Sequence, residues 1–160
     1  MAAVMLSGLT PLLNTSKVAS IQDNNGTILG LAEVIDGNYR YFDYEGFSIT
    51  NNQMIESPKI AVLTSRYTVS SGELVAVAFK GQEDVRYFGE STGGYTTNTS
   101  GEVIQDAVVL VIATGVFCDR NGHAYSENVP VDVNINFEAE TDKLKDEGII
   151  AAKAWLIQDK

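Results

Sequence analysis

Short apolar runs separated by polar turns divide the chain. Residues 1–13 are apolar on nearly every side and predict a buried helix that breaks near Pro11. Lys17–Gln22 and Thr27–Ile35 predict strands, joined by Asp23-Asn24-Asn25-Gly26, because Asn and Gly tolerate the positive φ of a hairpin turn. Asp36-Gly37-Asn38 marks another turn, and Tyr39–Tyr44 alternates aromatic and polar residues like an exposed edge strand. Tyr39, Tyr41, Phe42, Tyr44 and Phe47 fit sheet packing, with the wall of a cleft as their other use. Asn51–Ser57 reads as a loop, Lys59–Thr64 as the central strand, Val69–Lys80 as a helix and Val85–Gly89 as a further strand. Thr96–Gly101 is polar and reads as flexible, whereas Gln105–Gly115 has the composition of a fully buried strand. Asp119-Arg120-Asn121-Gly122 predicts a hairpin turn, with His123–Glu127 returning. Asp132–Asn136 predicts a last short strand, and Leu144, Ile149, Ala152 and Leu156 lie near helical spacing in a terminal helix over Asp142–Ile157.

The chemistry concentrates where the pattern changes fastest. The β-branched run at Ile60 ends at Thr64, a polar elbow follows, and six consecutive apolar residues, Leu74–Phe79, fill the next helix. Strand, tight turn and buried helix in that order present a hydroxyl at a helix N-terminus. Free N–H groups and the positive dipole end favour a developing oxyanion there. Ser70 is the candidate nucleophile. The same residues, Ser70-Ser71-Gly72-Glu73, also fit the S-x-x-E capping box, which only starts a helix. Local sequence leaves both readings open.

Bulk properties narrow the function classes. The 160 residues suffice for one domain with a real core. A net charge of −10 argues against a nucleic-acid surface, which needs clustered Lys and Arg. The single cysteine, Cys118, rules out an intramolecular disulfide within these residues and reads as a buried thiol. The only histidine, His123, sits beside an Asn-Gly turn and reads as exposed rather than as a base. The carboxylates Glu83, Asp84, Asp119, Glu138, Glu140 and Asp142 lack regular ligand spacing, so no metal and no cofactor are expected. No run reaches the roughly 20 apolar residues of a membrane helix.

Three segments in order carry a resemblance: Ser70-Ser71-Gly72-Glu73, then Gly89-Glu90-Ser91-Thr92-Gly93-Gly94, then Glu127-Asn128-Val129-Pro130-Val131-Asp132. The set resembles the C-terminal processing (tail-specific) protease and tricorn-core family of serine peptidases. Its pattern is an S-x-x-E elbow opening a helix, a strand ending in G-E-x-T-x-G, and a P-D-[VI] segment. The resemblance implies an α/β fold with a crotonase-like repeated ββα core, of which residues 1–160 form a single-domain C-terminal portion, lacking a preceding D-L-R-x-N-x-G-G strand.

The same resemblance implies site residues. Ser70 attacks, and the Ser71 amide holds the oxyanion. In the tail-specific branch the base is a lysine, whose place falls on Tyr95. Tyrosine ionises near pH ~10, so it is a poor neutral-pH base. Lys80 is nearly three helical turns from Ser70, about 15 Å of rise, and too distant. In the tricorn-like branch a histidine acts with a supporting glutamate; Glu127 matches the glutamate, with a solvated loop residue as its plain reading, and the histidine falls outside these residues. Gly93, Gly94 and Tyr95 are the candidate substrate-binding positions, the glycines standing in for an oxyanion glycine of the absent loop. The expected function is hydrolysis of a peptide or protein substrate, with the isolated chain inactive. The alternative is a peptide- or small-ligand-binding module that has lost its base. A crotonase-type acyl-CoA enzyme would need an adenine pocket that the sequence does not suggest. Substrate preference, oligomeric state and compartment stay open, a secreted or cell-envelope location among them.

Overall fold

The computed structural model describes residues 2–13, 16–41, 44–45, 53–105, 108–136, 142 and 145–158. Phe42 and Phe47 lie outside them. The chain is mixed α/β. A first helix, α1 (Ala2–Leu9), runs into a 3₁₀ turn at Thr10–Leu12 that carries Pro11, where the missing N–H costs nothing. Strands β1 (Ser16–Gln22), β2 (Ile28–Ile35), β3 (Asn38–Tyr41) and β4 (Tyr44–Glu45) follow as antiparallel hairpins. Then come β5 (Ile60–Thr64), α2 (Ser71–Phe79) and β6 (Val85–Gly89). The long pair β7 (Thr97–Gln105) and β8 (Val108–Asp119), a short β9 (Val133–Asn134) and α3 (Glu147–Leu156) complete the order.

Two sheets result. One is antiparallel, in the order β4-β3-β2-β1-β8-β7; the other is parallel, in the order β5-β6-β9. Helix α2 links β5 to β6 and also packs on α1, β1 and β8, so it is covered on several sides. Its sequence is accordingly apolar beyond one stripe: Leu74, Ala76, Val77, Ala78 and Phe79 are all buried. The core around it gathers Leu6, Val18, Ile21, Val34, Tyr39 and Phe117 from the large sheet side and Tyr87 from β6. Its last carbonyls are taken by side chains: the Tyr87 hydroxyl donates to Ala76 at 2.7 Å and Arg120 to Ala78 at 2.9 Å. Lys80, on the next residue, donates to the Pro130 carbonyl at 2.7 Å and lies over the Tyr87 ring. It is committed far from Ser70, as the helix length requires.

Several expectations need correction. Thr96–Gly101 is not a flexible loop; from Thr97 it forms β7, whose polar residues suit an edge strand. Gln105–Gly115 is not a fully buried strand. β8 pairs with β1 only through Val116–Asp119, so its outer half, Val108–Ile112, runs past the sheet with β7 as its single strand partner among the described residues and stays exposed. β5 is an edge of the described parallel sheet, and β6 is central. α1 buries one face only, with Val4 and Met5 exposed. His123–Glu127 contributes one bridge, Cys118 to Ala124, rather than a strand. The terminal helix begins later, where Asp146 accepts the Ile149 N–H at 2.9 Å. Cys118 is fully buried, as its setting implied. Among the described residues no helix is long and apolar enough to cross a membrane.

The joint between β5 and β6 requires glycine. Gly89 has φ +108°, and a Cβ there would collide with the Thr64 carbonyl oxygen. Gly89→Ala is expected to destabilise the fold by about 3 kcal/mol or more, because strain and clash add. A urea-unfolding midpoint unchanged from wild type would refute this account of the joint.

Candidate active site

At the end of β5 the chain must turn sharply to enter α2. Thr68 donates its N–H to the Ser65 carbonyl at 2.8 Å, and its Oγ1 accepts the Ser65 N–H at 3.1 Å, closing a tight loop. Glu90, just past β6, straps the loop down. Its backbone exchanges two bonds with Thr64, at 2.8 and 3.0 Å, and its carboxylate takes the Arg66 guanidinium at 2.8 and 3.0 Å. The turn ends at Ser70, with φ 52° and ψ −116°. A non-glycine residue rarely adopts such angles, and the strain is of order 1–3 kcal/mol. This is the strand-to-helix elbow that lifts a serine hydroxyl clear of its own backbone. Ser70 is exposed.

Glu73 offsets that strain. It is 0% exposed, and its carboxylate accepts three hydrogen bonds: from the Ser70 N–H at 2.8 Å, the Thr92 hydroxyl at 2.6 Å and the Gly94 N–H at 2.7 Å. A buried carboxylate is tolerable only with such saturation. The Thr92 oxygen in turn accepts the Val129 N–H at 2.8 Å, which brings in the segment preceding β9. Both halves of the capping box are present. The serine half is the weaker one, because the Glu73 N–H bonds the Ser70 carbonyl at 2.9 Å. Cap and strained strand-to-helix elbow are therefore one structure.

The amides of the first turn of α2 sort themselves. Ser70 donates to Glu73, Gly72 to the Val69 carbonyl, and Glu73 and Leu74 to the Ser70 carbonyl. Ser71, half-buried, has no acceptor among the described residues. Its N–H is the one left without a partner in this turn, beside the positive end of the helix dipole.

The other expected positions divide. Gly93 and Gly94 cannot act as oxyanion donors. The Gly93 N–H is bound to the Thr68 carbonyl at 2.9 Å and the Gly94 N–H to Glu73. Their work is close packing: Gly94 has φ +89°, and a Cβ there would sit 2.6 Å from the Glu127 carbonyl oxygen. Tyr95 is exposed. Glu127 is exposed, with its backbone against Gly94, which joins it to the Glu73 cluster through one glycine. His123 is exposed and stacks edge-on against Tyr125. Sequence reasoning treated Glu73 only as a cap and passed over Thr92. The S-x-x-E and G-E-x-T-x-G spacings carried both signals.

A cavity of about 320 Å³ opens beside Ser70 and Ser71, walled by Tyr39, Tyr41, Leu74 and Phe117 and by Thr97–Thr99 of β7. Tyr39 and Tyr41 thus serve both uses foreseen for them. Among its described lining residues are no histidine, lysine or carboxylate. Burial pushes the Tyr39 and Tyr41 phenols above their ordinary value, so neither is a base at neutral pH. A larger cavity, about 630 Å³, lies between β5, β6 and α3 and reaches Ser65 and Thr68 but not Ser70. Its size does not make it the site; the strained serine and the open amide face the smaller one.

Glu73→Gln leaves one of three buried donors facing an NH₂ group and is expected to destabilise by about 1–3 kcal/mol. Thr92→Ser keeps the hydroxyl and should cost well under half as much. Chemical denaturation of the two variants compares them; equal losses would show that the carboxylate network is not the support claimed.

Comparison with known proteins bears on the family and the fold. The model of Peptidase family S41 matches residues 15–137. The nisin-resistance protein of Lactococcus lactis subsp. lactis is 30% identical over 135 residues, which is 82% of this chain and 40% of that protein. The structure of a lipoprotein from Streptococcus agalactiae superposes with TM-score 0.63 at 22% identity, over 96% of this chain and 49% of that one. The photosystem II D1 C-terminal processing protease superposes with TM-score 0.61 at 18% identity, over 94% of this chain and 34% of that one. The chain therefore spans half or less of the length of these relatives. With a matched span that carries the elbow, its glutamate and the segment that holds them, the chain belongs to peptidase family S41.

Proposed function

We propose that Ser70 is the nucleophile of a serine peptidase. Its hydroxyl oxygen attacks the scissile carbonyl carbon, and the hydroxyl proton passes to a base. The tetrahedral oxyanion takes the Ser71 N–H. The C–N bond then breaks, the amine leaves with that proton, and water releases the acyl group from Ser70. The observation that carries this reading is the strained Ser70 elbow, with one unclaimed amide beside it and a cavity at its mouth.

The base is the missing part. The cavity's described lining residues offer none, and in the resemblance Tyr95 occupies the place of the lysine. In this reading a histidine from residues beyond these 160 faces Ser70, and Glu127 orients it from the segment tied to Thr92 and Gly94. The second oxyanion donor comes from the same outside segment, since Gly93 and Gly94 are committed. The finer architecture, a repeated ββα core of the crotonase type, is supported by the parallel β5-α2-β6 unit. The natural substrate is a peptide or protein. The name of the Lactococcus relative, a nisin-resistance protein, suggests a small peptide.

One observation favours a second reading, a peptide-binding module: no base faces Ser70 among the described residues. The segment preceding these residues in the reading frame discriminates, because the enzyme needs its histidine there.

A longer polypeptide carrying that segment is expected to hydrolyse a fluorogenic peptide, and Ser70→Ala to lower kcat by at least about 10³-fold with folding intact. The 160-residue chain alone is expected to show no turnover. Turnover by the short chain, or full activity of the alanine variant, would overturn the assignment.

A further inference from the structure

The segment between β8 and β9 that carries Glu127 is fastened at three points. Thr92 grips Val129 from both sides: its N–H donates to the Val129 carbonyl at 3.2 Å, and its Oγ1 accepts the Val129 N–H at 2.8 Å. Lys80 holds the Pro130 carbonyl at 2.7 Å. Asp132 exchanges two bonds with the Tyr87 backbone, accepting its N–H at 2.7 Å and donating its own N–H to the carbonyl at 3.0 Å. Val129 is fully buried, and upstream of it Gly94 packs against the Glu127 carbonyl. The Glu127 side chain is the exception: it is exposed, and its carboxylate has no partner among the described residues.

The Thr92 hydroxyl has one proton and gives it to Glu73. An ionised carboxylate only accepts and an amide only donates, so the direction of both Thr92 bonds is fixed. A hydroxyl fits between the two groups, and a methyl does not. Thr92 and Gly94 reach one carboxylate oxygen of Glu73, Oε1, whereas the Ser70 N–H reaches the other, Oε2. Loss of the Thr92 hydroxyl therefore leaves the Ser70 bond in place and strips the buried Val129 N–H of its acceptor.

We propose that Thr92 is a positioning residue for Glu127: through its two bonds to Val129 it sets where the Glu127 carboxylate stands relative to the Ser70 elbow. The inference rests on the peptidase reading and on the role given there to Glu127. Thr92 touches no reacting atom and acts through the clamped chain. The elbow and the Glu127 segment thereby share one anchor, the Glu73 carboxylate, one on each oxygen. A carboxylate that orients a base is sensitive to its placement, since a shift of about 1 Å can cost about 10²-fold in rate.

Kinetics of the longer polypeptide on a fluorogenic peptide test this role. Thr92→Val is expected to lower kcat at least about tenfold with KM unchanged, and Thr92→Ser to keep most of the wild-type rate. In a Glu127→Gln background Thr92→Val should cost less than about threefold, because the group it positions is already disabled. Amide exchange on the 160-residue chain reads the clamp without catalysis. The Val129 amide should exchange at least about tenfold faster in Thr92→Val than in wild type or Thr92→Ser, with the Leu74–Phe79 amides unchanged. Should Thr92→Val fail to fold, Lys80→Met takes its place. It removes the Pro130 anchor without touching Glu73, and its loss of kcat should likewise vanish in the Gln background. No loss of kcat, additive losses, no recovery with serine, or unaltered Val129 exchange would each overturn the role of Thr92 and leave the peptidase reading standing. No turnover by the longer wild-type polypeptide would instead overturn the peptidase reading, and this role with it.

Discussion

A single buried carboxylate organises this chain. Glu73 sits under the N-terminus of α2 with no exposed surface and holds three donors from three parts of the sequence. A charge in that position is expensive if any donor is lost, so the three segments can meet in only one way. The Ser70 amide is one of the three. The strained φ,ψ of the serine therefore persists because the surrounding bonds over-determine it, not because the serine prefers it.

Seen from that carboxylate, the G-E-x-T-x-G segment is a strap. Gly89 permits close approach to Thr64, Glu90 fastens the loop after β5, Thr92 and Gly94 complete the Glu73 shell, and Val129 closes onto Thr92. Each member has a geometric duty on the elbow, and none except the serine turns a reactive group toward the cavity. The Ser71 amide stays open because its neighbours are satisfied by one another. The strained Ser70, the open Ser71 amide and one wall of the cavity are thereby held together in these residues.

The sequence was most legible where one local rule sufficed. The β5-elbow-α2 order, the Asn-Gly turns and the buried Cys118 followed from patterning, turn chemistry and composition. It was least legible where tertiary reach decided. Val108–Ile112 has the composition of a core strand, yet its partner β1 extends only to Asp119–Val116 of β8. Thr96–Gly101 read as flexible because an edge strand needs no apolar face. Gly93 and Gly94 entered only as stand-ins for the oxyanion glycine that the resemblance places in a loop outside these residues. Only the bonds to Thr68 and Glu73 show them occupied. Glu73 itself was visible as a cap, but the donors that converge on it come from residues 19 and 21 positions away.

The most direct test is covalent. A longer polypeptide that includes the preceding segment is treated with a peptidyl diphenyl phosphonate, digested and mapped by mass spectrometry. The account predicts one adduct, on the Ser70 oxygen. An active protein whose adduct maps to another residue, or whose Ser70 stays unmodified as peptide hydrolysis is inhibited, would contradict it.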